Sequence, residues 1–140
     1  MNIDEIKKIL PHRDSMLLLD EVTSEDGKAY GKKQINGGEW FLDGHFPGAP
    51  IVPGVILCEI MAQSVCVLMA DKMSGDKLPF FSGLDKVHFK KPVRPGDLFT
   101  TECEIVKSRG PFYFAKGKGF VDGNLCVSAE FSFALTDRLI

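Results

Sequence analysis

His45 and Glu59 are the two residues of this chain whose types and surroundings best suit acid/base chemistry. Glu59 is the one charged residue in the run VPGVILCEIMAQSVCVLMA, from Val52 to Ala70. A carboxyl group enclosed by apolar neighbours takes a polar partner or holds its proton to higher pH. Just upstream, the loop Asp43-Gly44-His45-Phe46-Pro47-Gly48 carries a histidine in a segment that glycine and proline make irregular. Between them, Pro53-Gly54 opens a helix whose first N–H groups, near Gly54 and Val55, lack helical acceptors and carry partial positive charge. At 1.5 Å of rise per residue, Glu59 lies roughly 7–8 Å along the axis from that end.

Histidine, carboxyl group and amide donors suit removal of a proton beside a carbonyl with departure of a β-hydroxyl. The base takes the α-proton, the acid protonates the leaving oxygen, and the donors hold the charge between. Bland readings stand alongside: a structural histidine in a loop, and a carboxylate satisfied by Gln63 at i+4. A serine–histidine hydrolase has less support, because neither Ser64 nor Ser82 sits in an elbow motif. His12 and His88 read as surface residues or members of structural hydrogen bonds.

Elements must hold these groups in place. Asn2 can cap a short helix from Ile3 to Leu10 that Pro11 closes. Met16 to Val22 and Lys28 to Ile35 read as strands joined by a Ser-Glu-Asp-Gly turn. A loop from Asn36 to Pro50 leads to the long helix, predicted from Pro53 to about Met73. Beyond Gly75 the period changes to that of strands: Phe80 to Lys90, Leu98 to Lys107, Phe112 to Val121 and an alternating row from Leu125 to Leu135, with an Asp122-Gly123 hairpin turn. One helix apolar on most sides and about five or six strands with one apolar face predict an α+β fold, the antiparallel sheet wrapped around the helix.

The 140 residues suit a single domain, 1–140, able to bury its own core. A net charge of -2 gives no general attraction to nucleic acid or membranes. The opening MNIDEIKKIL has no secretory apolar region, and Cys58, Cys66, Cys103 and Cys126 show no metal-ligand spacing. Buried reduced thiols in a cytoplasmic protein are expected. The apolar run approaches membrane-spanning length, but Glu59, Gln63 and the lack of a basic flank favour a buried helix.

The segment DGHFPGAPIVPGVILCEIMAQ resembles the active-site signature of the (3R)-hydroxyacyl-[acyl-carrier-protein] dehydratases of bacterial fatty-acid synthesis. LPHR near the start, FFSGLDKVHFKKPVRPGD in the middle and KGKGFVDGNLCVSAEFSFAL near the end agree, in order, over nearly the whole chain. The resemblance implies a hot-dog fold, a homodimer that can assemble as a trimer of dimers, and no metal or organic cofactor. It implies His45 as catalytic histidine, Glu59 as catalytic acid, and active sites shared between subunits. Gly54 would meet the thioester carbonyl, with Val55, Phe46 and Gln63 as further substrate-binding candidates. A related branch that isomerises the double bond carries aspartate at the Glu59 position.

The partner implied is an acyl carrier protein bearing a 3-hydroxyacyl thioester. Such carriers are acidic, and Lys86, Lys90, Lys91 and Arg94 form the candidate basic patch. Two departures stand out. Asp14-Ser15-Met16 replaces the family's usual Tyr-Pro-Phe after LPHR, and His88 stands where an arginine commonly follows DKV. The rival readings are a thioesterase of the same fold, with Glu59 activating water, and a non-catalytic acyl-thioester binding protein.

Overall fold

A computed structural model of the chain describes residues 1–46, 48–73 and 77–137. Pro47 of the histidine loop and Gly75, where the sequence period changes, lie outside the described residues.

The first helix, α1 (Ile3–Lys7), starts at Asn2, whose side chain accepts from the Glu5 N–H while Glu5 reaches back to the Asn2 N–H. It is shorter than the predicted span to Leu10. Strands β1 (Glu21–Glu25) and β2 (Lys28–Gln34) pair through Asp26-Gly27, both at positive φ, 52° and 78°, the conformation a two-residue hairpin turn requires. The predicted strand over Met16–Asp20 is absent. A tight turn fills Asp14–Met16, and the Gln63 side chain takes the polar groups that a strand partner would: it accepts from the Leu18 N–H at 2.9 Å and donates to the Met16 carbonyl at 2.8 Å.

The main helix, α2, covers Gly54–Cys66, and a 3-10 turn at Val67–Met69 takes the place of the predicted extension to Met73. Apolar character continues because Val67, Met69 and Met73 are buried; it reports burial and not the helix type. Tightening of a final turn in this way is common. Ile60, Met61 and Val65 of α2 are wholly enclosed, each burial worth about 1.5–3 kcal/mol.

Four further strands, β3 (Lys77–Phe89), β4 (Leu98–Arg109), β5 (Phe112–Val121) and β6 (Asn124–Asp137), complete an antiparallel sheet ordered β1-β2-β4-β5-β6-β3. Phe99, Thr101 and Cys103 of β4, Ala115 of β5 and Phe131 and Phe133 of β6 turn inward onto α2. The helix is pinned where Gly31 allows close approach. A Cβ there would stand 2.4 Å from Ser64 Oγ and 2.7 Å from Thr101 Oγ1, two hydroxyls that bond each other at 2.9 Å. The sheet therefore wraps one buried helix, as expected. All four cysteines are free and buried, and enclosure pushes the Cys66 and Cys103 thiols up to about 12. No described helix is long and apolar enough to cross a membrane.

Candidate active site

The histidine loop follows a 3-10 turn at Trp40–Leu42, and the His45 N–H closes back onto the Leu42 carbonyl at 3.2 Å. The His45 ring places Nδ1 2.7 Å from the Ile51 main-chain oxygen. A carbonyl can only accept, so Nδ1 donates its proton there, and in the neutral ring Nε2 is the nitrogen with a free lone pair. That tautomer is the one a general base needs. The ring lies half-buried in an open cleft of about 390 Å³ whose walls include Phe46, Gly54, Phe89, Lys90 and Lys91.

Gly54 begins α2 under that cleft. The Gly54 and Val55 N–H groups precede the first helical bonds, which run from Ile56 and Leu57 to the Pro53 carbonyl. Any larger residue at Gly54 would have to displace the Phe89 ring, since a Cβ would come within 2.6 Å of it. Val55 and Phe46 are largely exposed, Phe46 at φ 53° with its ring 4.2 Å from that of His45.

Glu59 belongs to a second, small cavity of about 30 Å³, lined also by His12, Gln63, Cys66, Phe81 and Phe133. Its side chain is 21% exposed. Burial raises the carboxyl group above its ordinary value, and the Gln63 hydrogen bond to Oε2, at 3.1 Å, pulls it partly back. Gln63, proposed from sequence as a ligand contact, is 1% exposed and spends its amide on Met16, Leu18 and Glu59. Its geometry orients Glu59.

The chain does not bring His45 and Glu59 together. Each helical residue turns by about 100°, so Glu59 projects about 160° away from Leu57 and about 140° from Gly54, both of which line the histidine cleft. Of the basic residues, Lys90 and Lys91 line the His45 cleft, their main-chain N–H groups held by the Cys126 carbonyl. Arg94 is exposed just beyond it. Lys86 lies elsewhere, on a bulge of β3 with its ammonium 3.5 Å from Glu130.

One neighbour of Glu59 has its only sequence signal in the family-like stretch LPHR. His12 stands with Nε2 3.6 Å from Glu59 Oε2, where neither residue type nor spacing pointed. His88, by contrast, is exposed.

The sheet-wrapped helix and this cleft define a hot-dog protein with a histidine and a carboxyl group at the two sides of its helix. The FabA-like domain matches residues 10–130, and the chain belongs to that family. It is 45% identical over 138 residues to the 3-hydroxyacyl-[acyl-carrier-protein] dehydratase FabZ of Clostridium perfringens, covering 96% of this chain and 99% of that one. The corresponding Bacillus cereus enzyme is 41% identical over 142 residues, covering 99% and 98%. Among solved structures, the dehydratase heterocomplex ApeI:P from Xenorhabdus doucetiae superposes with a TM-score of 0.80 at 19% identity, over 94% of this chain and 91% of that one. The E. coli PaaI protein superposes at 0.63 and 13% identity, over 81% of each chain, which shares the fold alone.

Proposed function

We propose that this chain is a single hot-dog domain that acts, as a homodimer, as a hydro-lyase on (3R)-3-hydroxyacyl thioesters of acyl carrier protein. The product is the trans-2-enoyl thioester, as required in fatty-acid biosynthesis. The observation that supports the reading is the setting of His45: Nδ1 lies 2.7 Å from the Ile51 carbonyl oxygen, and the ring lines a cleft at the start of a helix.

The substrate carbonyl accepts from the Gly54 N–H, which stabilises charge as it develops on the thioester oxygen. His45 Nε2 removes a proton from C2, and the pair of electrons forms the C2–C3 double bond. The C3–O bond breaks as Glu59, whose partly buried setting favours the protonated form, gives its proton to the departing hydroxyl. Water leaves, with His45 as imidazolium and Glu59 as carboxylate, and proton exchange with solvent resets both. No step calls on a metal or organic cofactor.

Two features favour a site completed by a second copy. Strand β3 is one of the sheet's two outer strands and carries Phe80, Phe81, Leu84 and Phe89, each at least 42% exposed. A long apolar edge of this kind calls for a partner. Pro79 and Phe81, at one end of β3, line the Glu59 cavity, whereas Phe89, at the other end, lines the His45 cleft. Two-fold antiparallel pairing of β3 about Leu84 would set Pro79 of one chain opposite Phe89 of the other, laying the Glu59 cavity of one against the His45 cleft of its partner. Lys90 and Lys91 then flank the entrance, where an acidic carrier would dock. Assembly into a trimer of dimers is a further arrangement this dimer allows.

The test is an assay of the purified protein with a 3-hydroxyacyl thioester, followed by absorbance of the conjugated enoyl product. Formation of enoyl thioester with no release of thiol supports the reading. Release of free thiol and acid instead would make the protein a thioesterase, and binding without turnover would make it a carrier of acyl thioesters.

A further inference from the structure

We propose that His12 is a positioning residue for Glu59: with Gln63 it holds one carboxyl oxygen, so that the other presents the acid proton to the leaving hydroxyl. The inference rests on the reading of Glu59 as the acid.

Both neighbours address the same atom. Gln63 Nε2 donates to Glu59 Oε2 at 3.1 Å, and His12 Nε2 lies 3.6 Å from that oxygen. Glu59 Oε1 accepts from no group among the described residues. The histidine spacing is beyond a hydrogen bond, and such contacts in ligand-free sites tighten when substrate closes them.

The segment carrying His12 is fixed for this purpose. It follows Pro11, and the Arg13 guanidinium donates to three carbonyls around it: Leu10 and His12, each at 2.7 Å, and Lys7 at 2.8 Å. His12 Nδ1 is buried with no hydrogen-bond partner. A bare ring nitrogen left unpaired costs less than a stranded N–H, so the proton belongs on Nε2, facing Glu59. An oxygen that meets two N–H groups is a carbonyl-type acceptor, and the acid proton then sits on Oε1.

Charge on the imidazole also matters. Burial, and then the Arg13 charge, hold His12 below its ordinary value, which favours the uncharged ring. A neutral ring orients Glu59 through Nε2–H without the positive charge by which an imidazolium would favour the ionised carboxylate. The other groups packed around the pair leave this balance intact. Cys66 on α2 has a thiol pushed up to about 12, and Pro79, Phe81 and Phe133 from β3 and β6 bring no titratable atom.

The test compares His12→Leu, His12→Asn and His12→Gln in the full chain with a 3-hydroxyacyl thioester, alongside NMR titration of the Glu59 carboxyl carbon. Leucine removes the N–H and asparagine is too short to offer it. Both should lower kcat about tenfold, the scale of one lost hydrogen bond, with KM within about twofold. The Glu59 titration and the alkaline limb of kcat should move to higher pH, because the carboxylate has lost a donor. Glutamine, whose N–H reaches the position of Nε2, should recover most of kcat. The proposal is overturned if His12→Leu matches wild type in kcat and pH profile, or if all three variants lose activity equally with an unmoved profile. A wild-type protein that forms no enoyl thioester would overturn the dehydratase reading instead. The Glu59 titration would then decide on His12 alone: no shift in His12→Leu would refute the coupling. If His12→Leu does not fold, asparagine against glutamine supplies the same contrast.

Discussion

His45 Nδ1 and the Ile51 carbonyl oxygen are 2.7 Å apart, and this contact turns a loop histidine into a ring with one committed and one bare nitrogen. If Nε2 is the base, His45→Ala should fold normally and lower kcat/KM by about 100-fold or more, the usual scale for loss of a general base. Steady-state kinetics with circular dichroism as the folding control check this. Activity within a factor of a few of wild type would remove His45 from the reaction.

Glu59 should impose a pH dependence of known sign. Its carboxyl group is raised above the usual 4.5 by burial, with the Gln63 bond opposing. If Glu59 is the acid, its protonated form is the working one, so kcat should fall as pH rises through the raised value, and the fall should be absent from the residual rate of Glu59→Gln. Stability follows the same group. A raised folded-state value means that the folded protein binds more protons, so this contribution is present below about pH 4.5 and is lost as pH rises through the raised value. Glutamine does not titrate, and its stability relative to wild type should therefore improve with rising pH over that window. Urea melts at several pH values measure it, and a constant difference would contradict the assigned shift.

Much of this architecture is legible in the sequence because it rests on local periods. Phe112 to Val121 reads correctly as a strand since its alternation and the Asp122-Gly123 turn are neighbours in the chain. The stretch Met16–Asp20 misleads because its polar partner is the side chain of Gln63, 45 positions further along the chain than Leu18. Apolar residues past Cys66 imitate a continuing helix because a 3-10 turn buries them equally well. His45 and Glu59 are visible as chemical types in telling surroundings, and Gln63 as an i+4 neighbour. His12 approaches Glu59 only once the sheet has wrapped the helix, so no spacing could announce it.

Gly54 offers a steric test. A Cβ at this position would lie 2.6 Å from Phe89, whose ring walls the His45 cleft. Gly54→Ala should therefore displace the ring or the helix start and lower kcat/KM by about 10- to 100-fold, the cost of misplacing reacting groups by about an ångström. Adding Phe89→Leu should recover part of the loss by freeing the space. A Gly54→Ala protein with wild-type kinetics would mean that the helix start does not meet the substrate.

Docking of the carrier makes a prediction about two substrates. Lys91 and Arg94 are exposed beside the cleft, where they can meet an acidic partner. Reversing both to glutamate should weaken turnover of carrier-bound substrate and leave a small thioester analogue nearly unaffected, with the gap narrowing as salt rises. Equal losses on both substrates would argue against docking there.

His45 and Glu59 lie on opposite sides of α2, which makes subunit exchange the decisive experiment. Within one chain His45 and Glu59 line separate cavities, so one chain alone cannot hold substrate between them in this form. A two-fold dimer paired along β3 would give each site one group from each subunit. His45→Ala and Glu59→Gln should each be folded dimers with little turnover, because each lacks one group at both sites. A mixed dimer has one site with both mutant positions and one site with both native residues. Random exchange of equal amounts makes about half of the dimers mixed, each with one of two sites intact, so activity should approach about a quarter of wild type if sites act independently. Exchange is followed by mass tags on the two chains and turnover by enoyl absorbance. Absence of recovery despite demonstrated mixing would mean that both groups act within a single subunit, after a rearrangement that brings them to one side of the helix.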